Sequence, residues 1–352
     1  MEFCKYFGDC NGCSLQNLDY ASQIENKKRK LASLIQFQNM EVYAGKEYFY
    51  RNRLDLVFSE SGIGLRSRKG RIVQIEKCMI ANEKINQLVN EIRNFFQDEK
   101  GAFMYAVIRA YDDSSISFVL NTNSSKISSA VAQIKEFSKI TSADSIIVAY
   151  SLGDSVSEDF FVVKGKETVN ENYLGKDFSY SVQGFFQANH EVAEKMHEYC
   201  RKLFQKYDTG NAMLIDLYGG VGTFGIINSD LFRKVFVVEK FKPSAELAKI
   251  NIEMNGANNA EVLCADARQI ARLDFSGPVF VIADPPRSGM DQKTIEILNK
   301  ILPDVIIYVS CNPAQLGKDI KKFRKYAIKS AALFDMFPQT SHFEAVVELV
   351  RE

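Results

Sequence analysis

The sequence of 352 residues predicts an α/β protein whose carboxyl-terminal half forms a doubly wound, largely parallel sheet. The first observation is that helical stretches alternate with short apolar runs from about residue 183 onward. The second is that two of these runs, Pro278–Ala283 and Val305–Val309, are rich in β-branched residues and end in polar turns. Strands buried on both faces have this composition, and open α/β sheets bind ligands beyond the carboxyl ends of such strands.

Composition indicates a globular protein of about two domains and argues against a membrane protein. Hydrophobic residues make up 46% and charged residues 25% of the chain. No apolar run approaches the roughly 20 residues that span a bilayer, and no apolar stretch follows Met1–Lys5 as it would in a signal peptide. We therefore expect a cytoplasmic protein without a membrane partner.

Charge is balanced overall but not along the chain. The net charge of zero argues against a protein that coats nucleic acid. Residues 27–77, however, carry 12 Lys or Arg against 5 Asp or Glu. Such an excess is typical of a phosphate-contacting face, and equally of a solvated helix and hairpin.

The amino-terminal half is expected to contain a basic helix and then a mixed α+β domain. Ser22–Phe37 has the spacing of an amphipathic helix. Arg51–Phe58 begins to alternate, a Ser-Gly turn follows, and Ile63–Ile75 alternates weakly, which favours antiparallel strands. Further helices are predicted at Ile85–Phe96 and Ile127–Ser138, and strands at Val107–Tyr111, Ser115–Asn121, Ser145–Tyr150 and Phe160–Lys164.

The carboxyl-terminal half continues the alternation of helices and strands. Helices are predicted at Glu191–Phe204 and Ser244–Asn255, and strands at Ala212–Tyr218, Lys234–Glu239, Glu261–Cys264, the two apolar runs, Lys329–Phe337 and His342–Val350. These patterns predict three units. Residues 1–44 hold a cysteine segment and the basic helix, residues 45–178 form the α+β domain, and residues 179–352 form the α/β domain.

A glycine-rich turn between a predicted strand and helix indicates a nucleoside site. Glycines stand at positions 219, 220, 222 and 225, and they let the backbone approach a ligand closely. Glu239 ends the next strand, 21 residues after Tyr218, where a carboxylate can accept hydrogen bonds from both ribose hydroxyls. The ligand is either a dinucleotide or S-adenosylmethionine, and a structural tight turn is the alternative.

Two features favour S-adenosylmethionine over a dinucleotide. The glycines do not follow the G-x-G-x-x-G pattern. The acid-Pro-Pro turn Asp284–Arg287 has no role in hydride transfer, whereas in methyl transfer a rigid turn can hold Asp284 against a cofactor or base. An ordinary strand-to-helix turn is the alternative.

Cys311 is the candidate nucleophile. It follows the second apolar run, and Ser310, Asn312 and Pro313 break that run and expose the turn. A thiolate that adds to C6 of uracil or cytosine makes C5 a carbanion able to attack a methyl sulfonium, after which a base must remove the C5 proton. Glu344 is the candidate base. In isolation, an inert buried thiol and a strand-end surface acid are the alternatives.

These motifs, in order, resemble those of the RNA uracil-C5 methyltransferase family. The resemblance rests on Phe185–Asn189, Asp216–Gly222, Asp284–Arg287, Ser310–Pro313 and His342–Glu344, and the first cysteines extend it to nearly the whole chain. It implies a Rossmann-like methyltransferase domain with a mostly parallel, seven-stranded sheet, beside a central RNA-binding domain. The chain departs from the family at Gly219-Gly220, where Cys-Gly is common.

The resemblance also assigns roles to individual residues. It implies Cys311 as the nucleophile and Glu344 as the proton acceptor. It places Gln187, Tyr218, Glu239 and Asp284 around S-adenosylmethionine, with Gly220 in the turn. Phe185 and Phe186 would otherwise be interpreted as core aromatics.

Four cysteines form a candidate metal site. Cys4, Cys10 and Cys13 have the spacing C-x5-C-x2-C, and Cys78 follows at a distance. Four thiolates suit zinc or an iron–sulfur cluster equally well, and scattered free thiols are the alternative. The resemblance implies a [4Fe–4S] cluster on these four ligands, with a structural role that ties the amino terminus to the strands near Cys78.

The RNA substrate is only partly indicated. Family members often carry a small β-barrel domain before the cysteines. This chain begins at the cysteines, so we expect the short form without that domain. We also expect a monomer. The short form and the segment Leu333–Pro338 look most like the family members that methylate 23S ribosomal RNA. A uridine in the T loop of transfer RNA is the alternative substrate. The basic strands around Arg51–Arg71 are the candidate RNA face, and the target base must leave its stack to reach Cys311.

Two rival functions differ in chemistry. A DNA cytosine-C5 methyltransferase typically has its nucleophile after proline, whereas here the order is Cys311-Asn312-Pro313. A non-enzymatic alternative is an RNA-binding iron–sulfur protein with an inactive methyltransferase fold.

Overall fold

The computed structural model describes residues 4–96, 101–151 and 156–352, except for the side chains of 156–159. Within these ranges the larger sheet has eight strands. Their order across the sheet is β1 (Glu41–Tyr43), β16 (Tyr326–Phe334), β17 (Glu344–Arg351), β15 (Val305–Ser310), β14 (Val279–Ala283), β11 (Met213–Leu217), β12 (Lys234–Glu239) and β13 (Ala260–Cys264). The pairings are parallel except that β17 runs antiparallel to both of its neighbours.

The seven strands predicted for residues 179–352 are present as β11 to β17, but the sheet has an eighth strand from outside these residues, and it is mixed rather than purely parallel. The additional strand is β1, which lies at one edge and pairs in parallel with β16, Glu41 opposite Ala332. A strand of three residues is too short to show alternation, and its partner lies far away in the sequence. The sheet of the α/β half therefore includes a strand from the first 44 residues.

Helices cover both faces of this sheet. They are α1 (Tyr20–Ile35), α4 (His190–Phe204), α5 (Thr223–Ile227), α6 (Lys242–Met254), α7 (Gln292–Ile301) and α8 (Pro313–Ile320). Ile307 and Val309 of β15 point into the core that contains α4 and α5, whereas Ile306 and Tyr308 point into the core that contains α1, α7 and α8. The sheet is thus buried on both faces, which explains why its central strands are continuously apolar.

Helix α1 is fixed by its cap and by a buried ion pair. Asp19 accepts a hydrogen bond from the Ser22 backbone N–H at 2.8 Å, as a helix N-cap does. Leu31 is buried in the sheet core. Lys27 lies on the same helix and contacts the Asp335 carboxylate at 2.5 Å, with both side chains almost inaccessible to solvent. The basic helix is therefore packed on the α/β half.

The smaller sheet is built from the central part of the chain. In the described residues it has seven strands, in the order β4 (Ile72–Val73), β3 (Gly62–Arg66), β2 (Arg53–Ser59), β5 (Phe103–Ala110), β6 (Ser114–Asn121), β7 (Ser145–Ser151) and β8 (Val156–Lys164). Only β6 and β7 pair in parallel. Helices α2 (Glu83–Phe95) and α3 (Ile127–Ile140) share a core with these strands, which includes Phe96, Phe118 and Phe137.

A two-stranded hairpin joins the two sheets. It consists of β9 (Thr168–Tyr173) and β10 (Lys176–Ser181), and it spans the boundary predicted at residue 178. Its turn uses Leu174 and Gly175, both with positive φ. Asn251 of α6 bonds both the N–H and the carbonyl of Ser179, at 2.8 and 3.1 Å. The hairpin thereby attaches the central domain to helix α6 of the larger sheet.

None of the helices in the described ranges combines the length and the apolarity needed to cross a bilayer.

Candidate active site

The glycine-rich turn connects β11 to α5 through positive-φ backbone. Tyr218, Gly220 and Gly222 have φ of 60°, 55° and 89°. At Gly219 a Cβ would lie 2.6 Å from a γ-carbon of Val237, so the neighbouring strand leaves no room for a side chain. Both constraints explain glycine here, and they leave the backbone of the turn bare toward the space above the sheet.

Glu239 lies beside this turn, as the sequence predicted. Its carboxylate accepts hydrogen bonds from the N–H of Gly220 at 3.0 Å and from the N–H of Phe241 at 2.6 Å. Parallel pairing of β11 with β12 brings the two strand ends together. The carboxylate is therefore held at the carboxyl edge of the sheet, where a ribose would meet it.

A cleft of about 480 Å³, open mouth included, lies above the turn. Its walls are Tyr173, Phe185, Phe186, Gln187, His197, Tyr218, Gly219, Gly220, Val221, Thr223, Phe224 and Asp284. Four of the five predicted cofactor residues are among them, namely Gln187, Tyr218, Gly220 and Asp284. Thr223 was missed, because a threonine at the start of a helix is an ordinary residue in sequence.

The loop that carries Gln187 is held from two sides. Asn52 donates from its side chain to the Gln187 carbonyl at 3.1 Å and from its backbone to the Ala188 carbonyl at 2.9 Å. Asn189 caps α4 and donates to the Met336 carbonyl at 3.2 Å. The central domain and the strand β16 region therefore position this wall of the cleft together.

The two phenylalanines of this loop differ in environment. Phe186 is buried and stacks on Tyr180 with ring centres 4.0 Å apart. Phe185 is 75% exposed, so its interpretation as a core aromatic was wrong. No sequence pattern distinguishes the two residues, since they are adjacent phenylalanines in the same short segment.

Sheet register brings Asp284, Cys311 and Glu344 to one edge. Asp284 follows β14 and Cys311 follows β15, and these two strands are parallel neighbours. Glu344 begins β17, which is antiparallel to β15 with Ser310 opposite Ala345. The carboxyl ends of two strands and the amino end of a third therefore meet, and residues that are 27 to 60 positions apart in sequence become neighbours.

The two carboxyl groups at this edge both have raised pKa values. Burial raises the pKa of Glu344 well above its usual range, and the Asp284 charge raises it further, against the positive charge of Arg287. Burial raises the pKa of Asp284 to about 7. Two close carboxylates in a desolvated site repel each other, so the pair retains a proton at neutral pH.

The Cys311 thiol is protonated in this state. Burial raises its pKa to about 11, and the charges of Glu344 and Asp284 add to the shift, whereas Arg287 opposes it by its charge and by a hydrogen bond. Asn312 ties the two turns together, because its side chain donates to the Arg287 carbonyl at 2.9 Å. Arg287 is thus the positive charge that lowers the pKa of both the Cys311 thiol and the Glu344 carboxyl.

Asp216 is a buried acid that the sequence analysis treated only as part of a motif. One carboxylate oxygen accepts from the Gly225 N–H at 2.8 Å, and the other has no partner among the described atoms. Burial raises its pKa to about 7, and the charges of Asp284 and Glu239 contribute. Its position as an acid inside the apolar run of β11 is the sequence signal that could have identified it as a candidate functional residue.

A second buried acid, Glu171 of β9, lies under the Gln187 loop. It accepts hydrogen bonds from the Tyr180 hydroxyl at 2.7 Å and pairs with Nδ1 of His190 at 2.9 Å. These contacts join the hairpin to the start of α4. Sequence reasoning missed this network because its members are distant in the chain and belong to no motif.

The four predicted metal-binding cysteines line one small cavity. Cys4, Cys10, Cys13 and Cys78 meet there with apolar side chains, and burial raises the pKa of Cys13 to about 12. Within the described part of the chain, however, no three or more His, Cys, Asp or Glu side chains are arranged to hold a metal ion. The thiols are brought together, and the metal centre stays a prediction.

The cysteine segment also contacts the loop before Glu344. The backbone N–H groups of Ser14 and Leu15 donate to the Gln339 carbonyl at 2.9 and 3.0 Å. The Tyr50 hydroxyl donates to the Pro338 carbonyl at 3.0 Å. This segment therefore braces the chain that leads into β17.

The candidate RNA face lies partly on the β3–β4 hairpin. Arg66, Arg68, Lys69 and Arg71 are exposed there, whereas Arg51 is half-buried and bonds the Arg53 carbonyl. Burial lowers the pKa of His342, and the positive charges of Arg287, Lys30 and Lys27 lower it further. The RNA face stays a prediction.

Comparison with known proteins gives concordant results. The model of the family described as tRNA (Uracil-5-)-methyltransferase matches residues 19–352. A tRNA (uracil(54)-C(5))-methyltransferase of Pyrococcus abyssi is 32% identical over 99% of this chain and 85% of its own length. An uncharacterized RNA methyltransferase of Caldanaerobacter subterraneus is 30% identical over 97% of this chain and 83% of its own.

A solved structure is similar over nearly the whole fold. The crystal structure of the Pyrococcus abyssi tRNA (uracil-54, C5)-methyltransferase in complex with S-adenosyl-L-homocysteine matches with a TM-score of 0.80. The two chains are 28% identical, and the match covers 97% of this chain and 86% of the other.

Proposed function

Because the chain belongs to the tRNA (uracil-5-)-methyltransferase family, and is thus an S-adenosylmethionine-dependent RNA (uracil-C5) methyltransferase, we propose that Cys311 and Glu344 carry out its chemistry. The observation that carries this proposal is the meeting of Asp284, Cys311 and Glu344 at one sheet edge beside the glycine-rich cleft. The reaction replaces the C5 hydrogen of one uridine with a methyl group.

The cleft offers backbone and polar groups that suit the cofactor. Its walls include the bare glycine backbone and Gln187, and the Glu239 carboxylate lies beside it, bonded to the Gly220 N–H. When bound, S-adenosylmethionine supplies an electrophilic methyl group. We assign its binding to Gln187, Tyr218, Gly220, Glu239 and Asp284, and add Thr223, which lines the same cleft.

Cys311 opens the reaction by adding its sulfur to C6 of the uracil. The S–C6 bond forms, the C5–C6 π electrons move toward C5 and O4, and C5 then takes the methyl group. The thiol must first lose its proton, and with a pKa of about 11 it does so rarely in the free enzyme. Arg287 favours the thiolate, and the thiol proton passes to solvent water before the addition.

Glu344 closes the reaction by removing the C5 proton. The C–H electrons re-form the C5–C6 double bond, and the Cys311–C6 bond breaks to release the thiolate. A raised pKa makes the ionised Glu344 a stronger base than an ordinary glutamate, at the cost of a lower ionised fraction. Glu344 must therefore ionise before product release.

Trapping tests these roles. RNA that contains 5-fluorouridine has no removable proton at C5, so with S-adenosylmethionine it should remain covalently attached to the enzyme. Cys311→Ala should abolish the adduct. Glu344→Gln should leave methylated natural RNA attached. An adduct formed by Cys311→Ala, or normal release by Glu344→Gln, would contradict the assignment.

The RNA target has two candidates. The sequence prediction of 23S ribosomal RNA was based on the short form and on the segment Leu333–Pro338, whose first four residues are fully buried. The similarity to the Pyrococcus abyssi tRNA (uracil(54)-C(5))-methyltransferase favours transfer RNA. We therefore propose a transfer-RNA uridine as the first target to test and 23S ribosomal RNA as the second. Mass spectrometry of 5-methyluridine in both RNAs from a deletion strain distinguishes them.

For the four cysteines we propose a structural metal centre, a [4Fe–4S] cluster with zinc as the alternative. The support is the convergence of four thiols on one cavity and the bracing contacts of their segment with the Gln339 loop. Iron and sulfide analysis with visible absorption after anaerobic purification tests it. A colourless protein with stoichiometric zinc would refute the cluster, and a metal-free folded protein would refute both.

A further inference from the structure

A second cleft adjoins the cofactor cleft and has no role in the reaction described so far. It has about 730 Å³ of space, open mouth included, and is larger than the cofactor cleft. One wall is the loop after β10, with Gln183 and Phe185, and the other is the start of α6, with Phe241, Pro243 and Leu247. We call it the aromatic cleft. It shares Phe185 and Val221 with the cofactor cleft, so the two clefts adjoin.

The aromatic cleft exposes unusually large apolar groups. Phe241 is 46% exposed and Phe185 is 75% exposed, and both lie on its walls. Isolated exposed aromatics are common, but two that border one cleft next to a reaction site indicate a binding surface. Flat rings offer the faces on which nucleic-acid bases stack, whatever the base.

A buried polar group adds to this indication. The side-chain nitrogen of Gln183, a residue that lines the cleft, is inaccessible to solvent and has no hydrogen-bond partner among the described atoms. A buried donor without an acceptor is costly, so native proteins usually supply the acceptor, from the protein, an ordered water or a bound ligand. Every nucleobase carries carbonyl oxygens or ring nitrogens that accept such a bond.

The position of the aromatic cleft does not suit the adenine of the cofactor. A nucleoside held by Glu239 lies beyond the ends of β12 and β13, where Asp266 follows β13. No residue of β13 or of the turn after it lines the aromatic cleft, whereas Tyr180 and Gln183 come from the hairpin side that faces the central domain. The cleft therefore lies on the approach from the central domain to the reaction site.

We propose that the aromatic cleft holds a nucleobase of the substrate RNA, a neighbour of the target uridine, stacked on Phe241. The proposal rests on the proposed function. Extrusion of the target uridine breaks the stack of the RNA strand. A neighbouring base that enters the aromatic cleft regains stacking on protein and fixes the strand with its uridine directed at Cys311. The cleft would thus select the RNA through the position of one flanking base.

Substitution of Phe241 tests the stacking. Phe241→Leu keeps an apolar side chain but removes the flat ring, and Phe241→Tyr keeps the ring as the matched control. The assay uses a synthetic hairpin of the transfer-RNA T arm, or of 23S ribosomal RNA if only that is methylated. We expect Phe241→Leu to raise the KM for RNA by about fivefold or more, as stacking predicts, with the KM for S-adenosylmethionine within twofold of wild type. Phe241→Tyr should restore the wild-type KM.

An abasic scan identifies the stacked base. Hairpins that lack one base at each position near the target uridine are assayed with the wild type and with Phe241→Leu. At one position, loss of the base should weaken the wild type but leave Phe241→Leu unchanged. Gln183→Met should also raise the KM for RNA, which supplies a second test through a different side chain.

The outcomes distinguish failure of the cleft proposal from failure of the proposed function. If the wild type forms no adduct with 5-fluorouridine RNA, the proposed function fails. If the adduct forms and Phe241→Leu leaves the KM for RNA unchanged, the cleft proposal fails alone. It also fails if Phe241→Leu weakens S-adenosylhomocysteine binding as much as RNA binding, because the cleft would then hold the cofactor.

Discussion

The ion pair between Lys27 and Asp335 gives the most direct test of how α1 is held on the larger sheet. The perturbation is Lys27→Met, which preserves the length and the apolar stem of the side chain but removes the charge. Lys27 is 2% and Asp335 0% exposed, so the carboxylate that remains cannot be solvated by water. Lys27 also donates to the Phe337 carbonyl at 3.2 Å, and this bond is lost as well.

The magnitude follows from the groups that remain. An uncompensated buried charge destabilises a protein by about 3–5 kcal/mol. The Tyr20 hydroxyl still donates to Asp335 at 2.9 Å, so we expect the lower end, about 3 kcal/mol. Addition of Asp335→Leu removes the unpaired charge and should recover about 2 kcal/mol, since apolar replacement of a buried pair is often nearly neutral.

Urea-induced unfolding followed by circular dichroism measures these free energies. Lys30→Met is the matched control, because it removes an exposed lysine from the same helix and should change the free energy of unfolding by less than about 0.5 kcal/mol. A loss below about 1 kcal/mol for Lys27→Met would refute the reasoning. So would a double variant less stable than Lys27→Met alone.

Three further predictions concern the site. Release of methylated RNA should accelerate as pH rises, because the pKa of Glu344 is raised and only its ionised form accepts the C5 proton; single-turnover release rates that fall with pH would contradict this. Arg287→Gln should raise the pKa of the Cys311 thiol still further and slow adduct formation by the same factor at every pH well below that pKa, as measured with 5-fluorouridine RNA. Gly219→Ala should weaken S-adenosylhomocysteine binding in calorimetry by about tenfold or more, because a Cβ there lies 2.6 Å from a valine of β12. Gly210→Ala is the control and should bind normally, because the nearest atom to its Cβ is 4.0 Å away.

The reactive edge of the larger sheet was predictable from the sequence for a physical reason. The central strands are buried on both faces, so their residues form uninterrupted apolar runs whose ends are marked by polar turns. The predicted runs before Asp284 and Cys311 correspond to β14 and β15. Because parallel strands end at one edge, the proximity of Asp284 and Cys311 followed from the strand assignment alone.

Other parts depend on contacts that no local pattern encodes. Strand β1 has three residues and gains its stability from pairing with β16. The hairpin strand β9 reads Thr-Val-Asn-Glu-Asn-Tyr, which is too polar to predict, although its Glu171 is buried among distant partners. The exposure of Phe185 and the unpaired oxygen of Asp216 are likewise tertiary properties.

The position of β1 at the sheet edge affects how the chain folds during translation and which fragments of it can be expressed. During translation, β1 leaves the ribosome roughly 290 residues before β16, so the edge of the larger sheet is completed only when almost the whole protein has been synthesised. Until then the apolar side of α1 has nothing to cover. A fragment that starts after residue 44 would present β16 as an open edge, ready to pair with another molecule. The larger sheet should therefore be expressed together with residues 20–43, and aggregation of the shorter fragment would be the expected result of leaving them out.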